Sequence, residues 1–232
     1  MRKGIKNVLP ASPDGRRPLL LPLVMHNQEF DTPTTEDQRL LKFATIMGFL
    51  GMMRPHSLVE LRPESFRIVS IMGNIYKMPS QPQQFYDDLF KLLRKQAILG
   101  FYVEFRSKTK ERARAHFPYL SNVPNEISRI CPVRALVDIA QRDGVRKNFL
   151  KDLNKNRRLT RYLQNISGVE QDIAPYALRI GGRTWFLANG LDRQFVDFLG
   201  VWKSPEAAAR YFRAAPKEVL RYLTTFLTDL NV

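Results

Sequence analysis

Four segments of the chain carry residues able to act on a charged substrate. MGFLGMMRPHSLVEL places Arg54 where one helical pattern gives way to another. EFRSKTKERAR places Lys108 in a polar, basic turn. APYALRIGGRTWFLANG carries Tyr176 and Arg179 three residues apart, so on a helix both face the same way. FLGVWKSPEAAARYFR carries Trp202 and Tyr211. Guanidinium forks hold phosphoryl oxygens in a bidentate manner, a lysine can protonate a leaving oxygen, and a phenol can serve as nucleophile. Each residue also has a plainer reading. Arg54 or Arg179 could belong to a structural ion pair, Lys108 could be a solvated turn residue, Trp202 a core aromatic, and Tyr176 or Tyr211 a packed helical residue.

Composition narrows the partners. With 37 Lys and Arg against 22 Asp and Glu, the chain of 232 residues has a formal charge of +15 and a pI near 10.2. A folded domain this basic usually meets a polyanion; nucleic acid is the first expectation, with a membrane surface or acidic protein partners as alternatives. Other classes drop out. The single Cys131 excludes a disulfide framework, and the scattered His26, His56 and His116 have no metal-ligand spacing. The sequence holds no GxxxxGK[ST] loop, no GxSxG elbow and no HExxH pair. We therefore expect no metal, no cofactor and no small-molecule substrate. No apolar run reaches the ~18 residues of a membrane helix, and LLLPLVM at 19–25 lacks a cleavage signature. The expected location is nuclear in a eukaryote, otherwise cytoplasmic, and not secreted.

The elements that must position those side chains come next. Residues 1–32 read as a tail or linker, rich in Pro and Gly, and 33–232 as one domain. Thr34 and Asp37 have capping-box spacing before a helix through Leu40, Ala44, Met47 and Gly51. Pro55 opens a short second helix, and FRIVSIMGNIYKMP reads as strand, Gly73-Asn74 turn and strand. Residues 83–99 read as helical. FYVEFRSKTKERARAHFPYL reads as a hairpin in which Phe101, Val103 and Phe105 alternate on one strand and Ala113, Ala115 and Phe117 on the other. Helices are expected at 133–142, 155–165, 176–189, 192–199, 204–212 and 216–229. The fold class is α+β: a mostly helical body with a small antiparallel sheet.

In this order the four segments resemble the catalytic boxes of the tyrosine recombinases, the phage-integrase and Cre-like family. Gly51-Met-Met-Arg54-Pro-His-Ser57-Leu58 stands where that family reads G-x-R-x-x-E-L. Ser107-Lys108-Thr109 matches the hairpin lysine, Tyr176-Ala-Leu-Arg179 the H-x-x-R box, and Gly200-Val-Trp202 the G-x-x-H/W element. Trp202 lies 23 residues beyond Arg179, and Tyr211 nine beyond Trp202, as in the family. LRIGGRTWFLANG and WKSPEAAARYFRA further resemble recombinases of eukaryotic mobile elements of the DIRS and Crypton kinds.

The resemblance implies site-specific DNA cleavage and rejoining, as in DNA integration, through a 3′-phosphotyrosyl intermediate on Tyr211. Arg54 and Arg179 would hold the phosphate, Lys108 would act as general acid, and Trp202 and Tyr176 would complete the site. Arg183, Lys203, Arg210, Arg213, Arg106 and Lys110 would contact the DNA backbone. It also implies a homo-oligomer, typically a tetramer on DNA, joined through an amphipathic C-terminal helix (Val219, Leu223, Phe226, Leu227 and Leu230 on one face). The family's N-terminal clamp domain is absent from this chain. Two positions depart from the pattern. Tyr176 replaces a histidine, and a phenol is a poor base at neutral pH; Ser57 replaces a glutamate. The alternative they leave open is a DNA-binding module of the same fold with weakened catalysis. An unrelated basic interaction protein is the third reading.

Overall fold

The computed structural model describes residues 18–19, 25–77, 82–95, 97–106, 112–120, 125–144, 150–151, 153, 157–168, 173–201 and 215–230. The expected helix at 204–212 and the hairpin tip at 107–111 lie outside them.

Two short helices open the ordered body: α1 (Gln28–Asp31) and α2 (Glu36–Leu50). A capping box starts α2 one residue later than the Thr34–Asp37 spacing predicts. The Gln38 backbone N–H donates to Thr35 Oγ1 at 3.2 Å, and Gln38 Oε1 accepts from the Thr34 and Thr35 N–H groups at 2.9 and 3.2 Å. A glutamine side chain is long enough to reach back over the first turn; an aspartate is not. From Phe43 to Leu50 every residue of α2 is buried, so this is the central helix, apolar on all sides. Arg39, near its start, clamps Asp143 through Nε (2.6 Å) and Nη2 (2.5 Å) and so ties it to the end of α6 (Pro132–Arg142).

After α3 (Pro55–Val59) and a 3₁₀ turn, β1 (Phe66–Ser70) and β2 (Ile75–Lys77) form the first hairpin, turning at Gly73 with φ of 91°. α4 (Pro82–Arg94) ends before the predicted residue 99, because Ile98 and Leu99 take up the period-two pattern of the next strand. β3 (Ile98–Arg106) and β4 (Arg112–Pro118) form the expected hairpin, with Phe101 opposite Phe117, Val103 opposite Ala115 and Phe105 opposite Ala113. The sheet is antiparallel in the order β2-β1-β3-β4, which with the helices gives the α+β class. One face packs Phe66, Phe101 and Phe117 into the helical core, with ring centroids 5.0–5.5 Å apart along that row.

The remaining helices are α5 (Asn125–Ser128), α7 (Arg158–Ser167), α8 (Tyr176–Ala188), α9 (Arg193–Leu199) and α10 (Pro216–Thr228). α10 covers the second face of the sheet. Leu220 packs on Val69 and Tyr102, while Lys217 Nζ donates to the Met72 carbonyl at 3.2 Å. Val219, Leu223 and Leu227 are buried in the chain's own core. The apolar face expected to dock into a neighbouring copy is thus occupied in cis, because the sheet offers it an apolar surface within the same chain. No helix among the described residues is long and apolar enough to cross a membrane.

Order also begins earlier than the expected boundary at residue 33. Leu19, Met25 and Phe30 are buried, and the Leu19 N–H donates to the Ala177 carbonyl at 3.1 Å. Isolated apolar residues among prolines carry no period, so only tertiary burial reveals them.

His116 on β4 is buried between Tyr102 and Phe198, and its Nδ1 has no hydrogen-bond partner among the described residues. Burial, then the nearby Arg114, pushes its pKa down to about 3. The folded state therefore keeps it neutral, while the unfolded chain takes up a proton below about 6.5. Its contribution to stability is complete above that value and is lost as pH falls from about 6.5 toward 3. Urea midpoints should decline through this window, and His116→Phe should flatten the decline; an unchanged acid limb would refute the assignment.

Candidate active site

The site is built where α2 ends against α8. Gly51 caps α2, and a Cβ there would lie 2.5 Å from Phe117 Cζ. Met52 follows at φ 45°, a left-handed conformation that side chains with a Cβ rarely adopt. Such strain persists where surrounding packing over-determines it, and Met52 and Met53 are both fully buried. The consequence is directional. The turn delivers Arg54, half-buried, as the N-cap residue of α3, and it aims the Met52 carbonyl at α8.

Arg179 receives that carbonyl: its guanidinium donates through Nη1 to Met52 O. Two glycines in the same helix allow close backbone approaches. A Cβ on Gly182 would collide with the Phe49 carbonyl of α2, and one on Gly181 with the Leu19 carbonyl. α8 can lie this close to the end of α2 and to the Leu19 segment only because neither residue has a side chain, which accounts for the RIGGR wording.

Arg179 is 2% exposed. Burial, foremost, and then the Arg54 charge push its pKa down to about 10, Arg183 adding to the effect; Tyr176, hydrogen-bonded to it, pulls the other way. At neutral pH it stays charged. A desolvated guanidinium facing like charges is costly to the empty protein and well matched to an anion. Among the described residues Arg54 has no carboxylate partner. The carboxylate in this region is Asp197 of α9, which accepts from Arg183 Nε at 3.3 Å and Nη2 at 3.1 Å.

Of the residues singled out in the sequence, Arg54, Tyr176, Arg179 and Arg183 are thus brought into one cluster. Arg106 lies at the exposed end of β3, directly opposite Arg112. Like charges so placed repel, and a phosphate backbone would relieve them. No hydrogen bond or ion pair among the described residues draws Arg106 into the cluster. Lys108, Lys110, Trp202, Lys203, Arg210, Tyr211 and Arg213 lie outside the described residues. Val201, just before Trp202, has φ of 54°, a second strained position. Two participants were not foreseen. The Met52 carbonyl, being main chain, leaves no trace in sequence, whereas Asp197 is a lone carboxylate in the apolar helix RQFVDFL and could have been noticed. Among the described residues no three His, Cys, Asp or Glu side chains gather as metal ligands.

Compared with protein-family models, curated proteins and solved structures, the chain has no match.

Proposed function

We propose that the chain cleaves and rejoins DNA strands as a tyrosine recombinase. The observation that carries this reading is the union of Arg54 and Arg179. They come from elements 125 residues apart in sequence, yet the Met52 carbonyl joins Arg179 to the turn that carries Arg54, and the Arg54 charge acts on the buried Arg179. A protein gains nothing by holding two guanidinium groups together unless an anion enters between them.

In this reading the forks of Arg54 and Arg179 grip the non-bridging oxygens of one phosphodiester. Tyr211 gives up its phenol proton to solvent, its oxygen attacks a phosphorus of the double-stranded DNA, the P–O5′ bond breaks, and Lys108 supplies the proton that the leaving oxygen takes. The 3′-phosphotyrosyl bond conserves the energy of the broken diester, so a 5′-hydroxyl can reverse the step and rejoin strands. Tyr176, hydrogen-bonded to Arg179, positions that guanidinium and is no base. Arg106 and Arg183, with Lys110, Lys203, Arg210 and Arg213, hold the duplex, giving a steep salt dependence. Tyr176, standing where the family has a histidine, favours the second reading, a DNA-binding module of this fold with weakened catalysis.

A nicked duplex, which traps the cleaved strand, separates the two when incubated with the full chain and EDTA. The recombinase reading expects a covalent DNA adduct that maps to Tyr211. Binding without adduct leaves the module, and absence of DNA binding removes both.

A further inference from the structure

We infer that the half of the sheet left bare by α10 is a second DNA-contacting surface, on which Arg67, Lys77, Arg112 and Arg114 join Arg106 in holding duplex phosphates. The inference rests on the DNA-binding part of the proposed function and adds to it a surface made wholly of described residues.

The strand register puts these side chains on one face. Arg67 pairs across strands with Lys77 and Tyr102, Tyr102 with His116, Glu104 with Arg114, and Arg106 with Arg112. Directly opposed residues share a face, and alternate residues along a strand return to it. Contacts agree. Glu104 Oε2 lies 3.1 Å from Arg67 Nη2, its Oε1 lies 3.3 Å from Arg114 Nε, and the Arg114 guanidinium stands 5.2 Å from the Tyr102 ring centroid. α10 covers the other end of this face, where Leu220 meets Val69 and Tyr102. On β4, His116 stacks on Phe198 of α9 and Phe117 abuts Gly51, so the surface borders the turn that carries Arg54.

Five cations against one carboxylate leave the face with four uncompensated positive charges. Two cross-strand pairs, Arg67 with Lys77 and Arg106 with Arg112, set like charges directly opposite each other, which destabilises a sheet. Lys77, Arg106 and Arg112 are exposed and have no ion pair among the described residues. A face charged for solubility alone mixes both signs. Cations can also guard a sheet edge, but Arg67 sits on β1, between β2 and β3, where there is no edge to guard. A polyanion relieves the repulsion. From β2 to β4 the patch spans about 14 Å, three strand spacings, and a duplex carries one charge per ~1.7 Å of its axis. Several phosphates therefore meet the patch at once, whereas a small anion would meet one pair of cations. Glu104 is the positioning residue, holding the Arg67 and Arg114 forks side by side.

Anisotropy of a short labelled duplex, titrated with the full chain across a salt series, tests this. Lys77→Gln, Arg112→Gln and Arg114→Gln should each lower the slope of log affinity against log salt by about 0.9. Glu104→Gln should tighten binding several-fold at low salt, because it removes a charge that repels phosphate. Arg142→Gln is the control. Arg142 lies beside the Arg39–Asp143 clamp, at the far end of α2 from Arg54, and its loss removes the same charge with no expected change in slope. Unchanged slopes in the face variants, or an equal fall in Arg142→Gln, would overturn the surface while leaving the proposed function standing. If the unaltered chain binds no duplex, both fail. Should the face variants instead lose binding to phosphatidylserine vesicles and keep their duplex slopes, the face belongs to a membrane and the inference is refuted. If Arg114→Gln folds poorly, Lys77→Gln and Arg112→Gln carry the test, since neither breaks an ion pair among the described residues.

Discussion

Arg179→Met is expected to slow strand cleavage about 10²–10³-fold while leaving the protein at least as stable as before. The two halves of that expectation share one cause. Arg179 is a charged group removed from water and set beside Arg54 and Arg183, with a main-chain carbonyl and Tyr176 to hold it. Taking such a charge out of the core removes a desolvation penalty of several kcal/mol. Against this stands the donor lost to the Met52 carbonyl, about 1–3 kcal/mol. Methionine has a similar length and fills the space without a void. The urea midpoint should therefore hold or rise. Cleavage loses a preorganised donor on the phosphate, worth about 10²–10³ in rate. If Arg179 were a structural ion-pair member, the signs would invert. Stability would drop by about 3–5 kcal/mol and any adduct formation would persist at its former rate.

The second large effect belongs to Tyr211→Phe. Phenylalanine keeps the ring and removes the only atom of that side chain able to bond to phosphorus. The adduct on the nicked duplex should vanish entirely, because no later step can proceed without that bond. Affinity for the same duplex should stay within about twofold, since phosphate contacts by arginines and lysines dominate binding and their number is unchanged. The slope of log affinity against log salt should be identical in the two proteins. An adduct that survives the substitution would place the nucleophile elsewhere and remove the basis for assigning roles to the cluster.

Much of this fold was legible where local rules are strong. The β3–β4 hairpin followed from strict alternation on each strand, which sets Phe101, Val103, Ala115 and Phe117 on one face of the sheet. The Gly73-Asn74 turn, the Pro55 helix start and the end of α8 before Gly190 followed from residues with few conformational choices. The misses have a common origin. Leu19, Met25 and Phe30 are buried by distant elements and follow no period. The α4 boundary moved because Ile98 and Leu99 suit a helix and a strand alike, and tertiary pairing decides. The amphipathic pattern of α10 foretold its apolar face but could not say whether its own sheet or another copy would cover it. The family resemblance implied that Arg54 and Arg179 share a site; in the structure the Met52 carbonyl joins Arg179 to the turn that carries Arg54. That link, with a left-handed Met52 and a Gly182 that has no room for a methyl group against Phe49, is visible only in three dimensions.

The Leu19 segment carries one more implication. Its backbone is stitched to Ala177, between Tyr176 and Leu178, and its carbonyl lies flush on Gly181. Tension applied ahead of residue 18 would pass along this strap straight into the opening turn of α8, two residues from Arg179. Residues upstream thus have a short mechanical lever on Arg179, exerted through main-chain contacts.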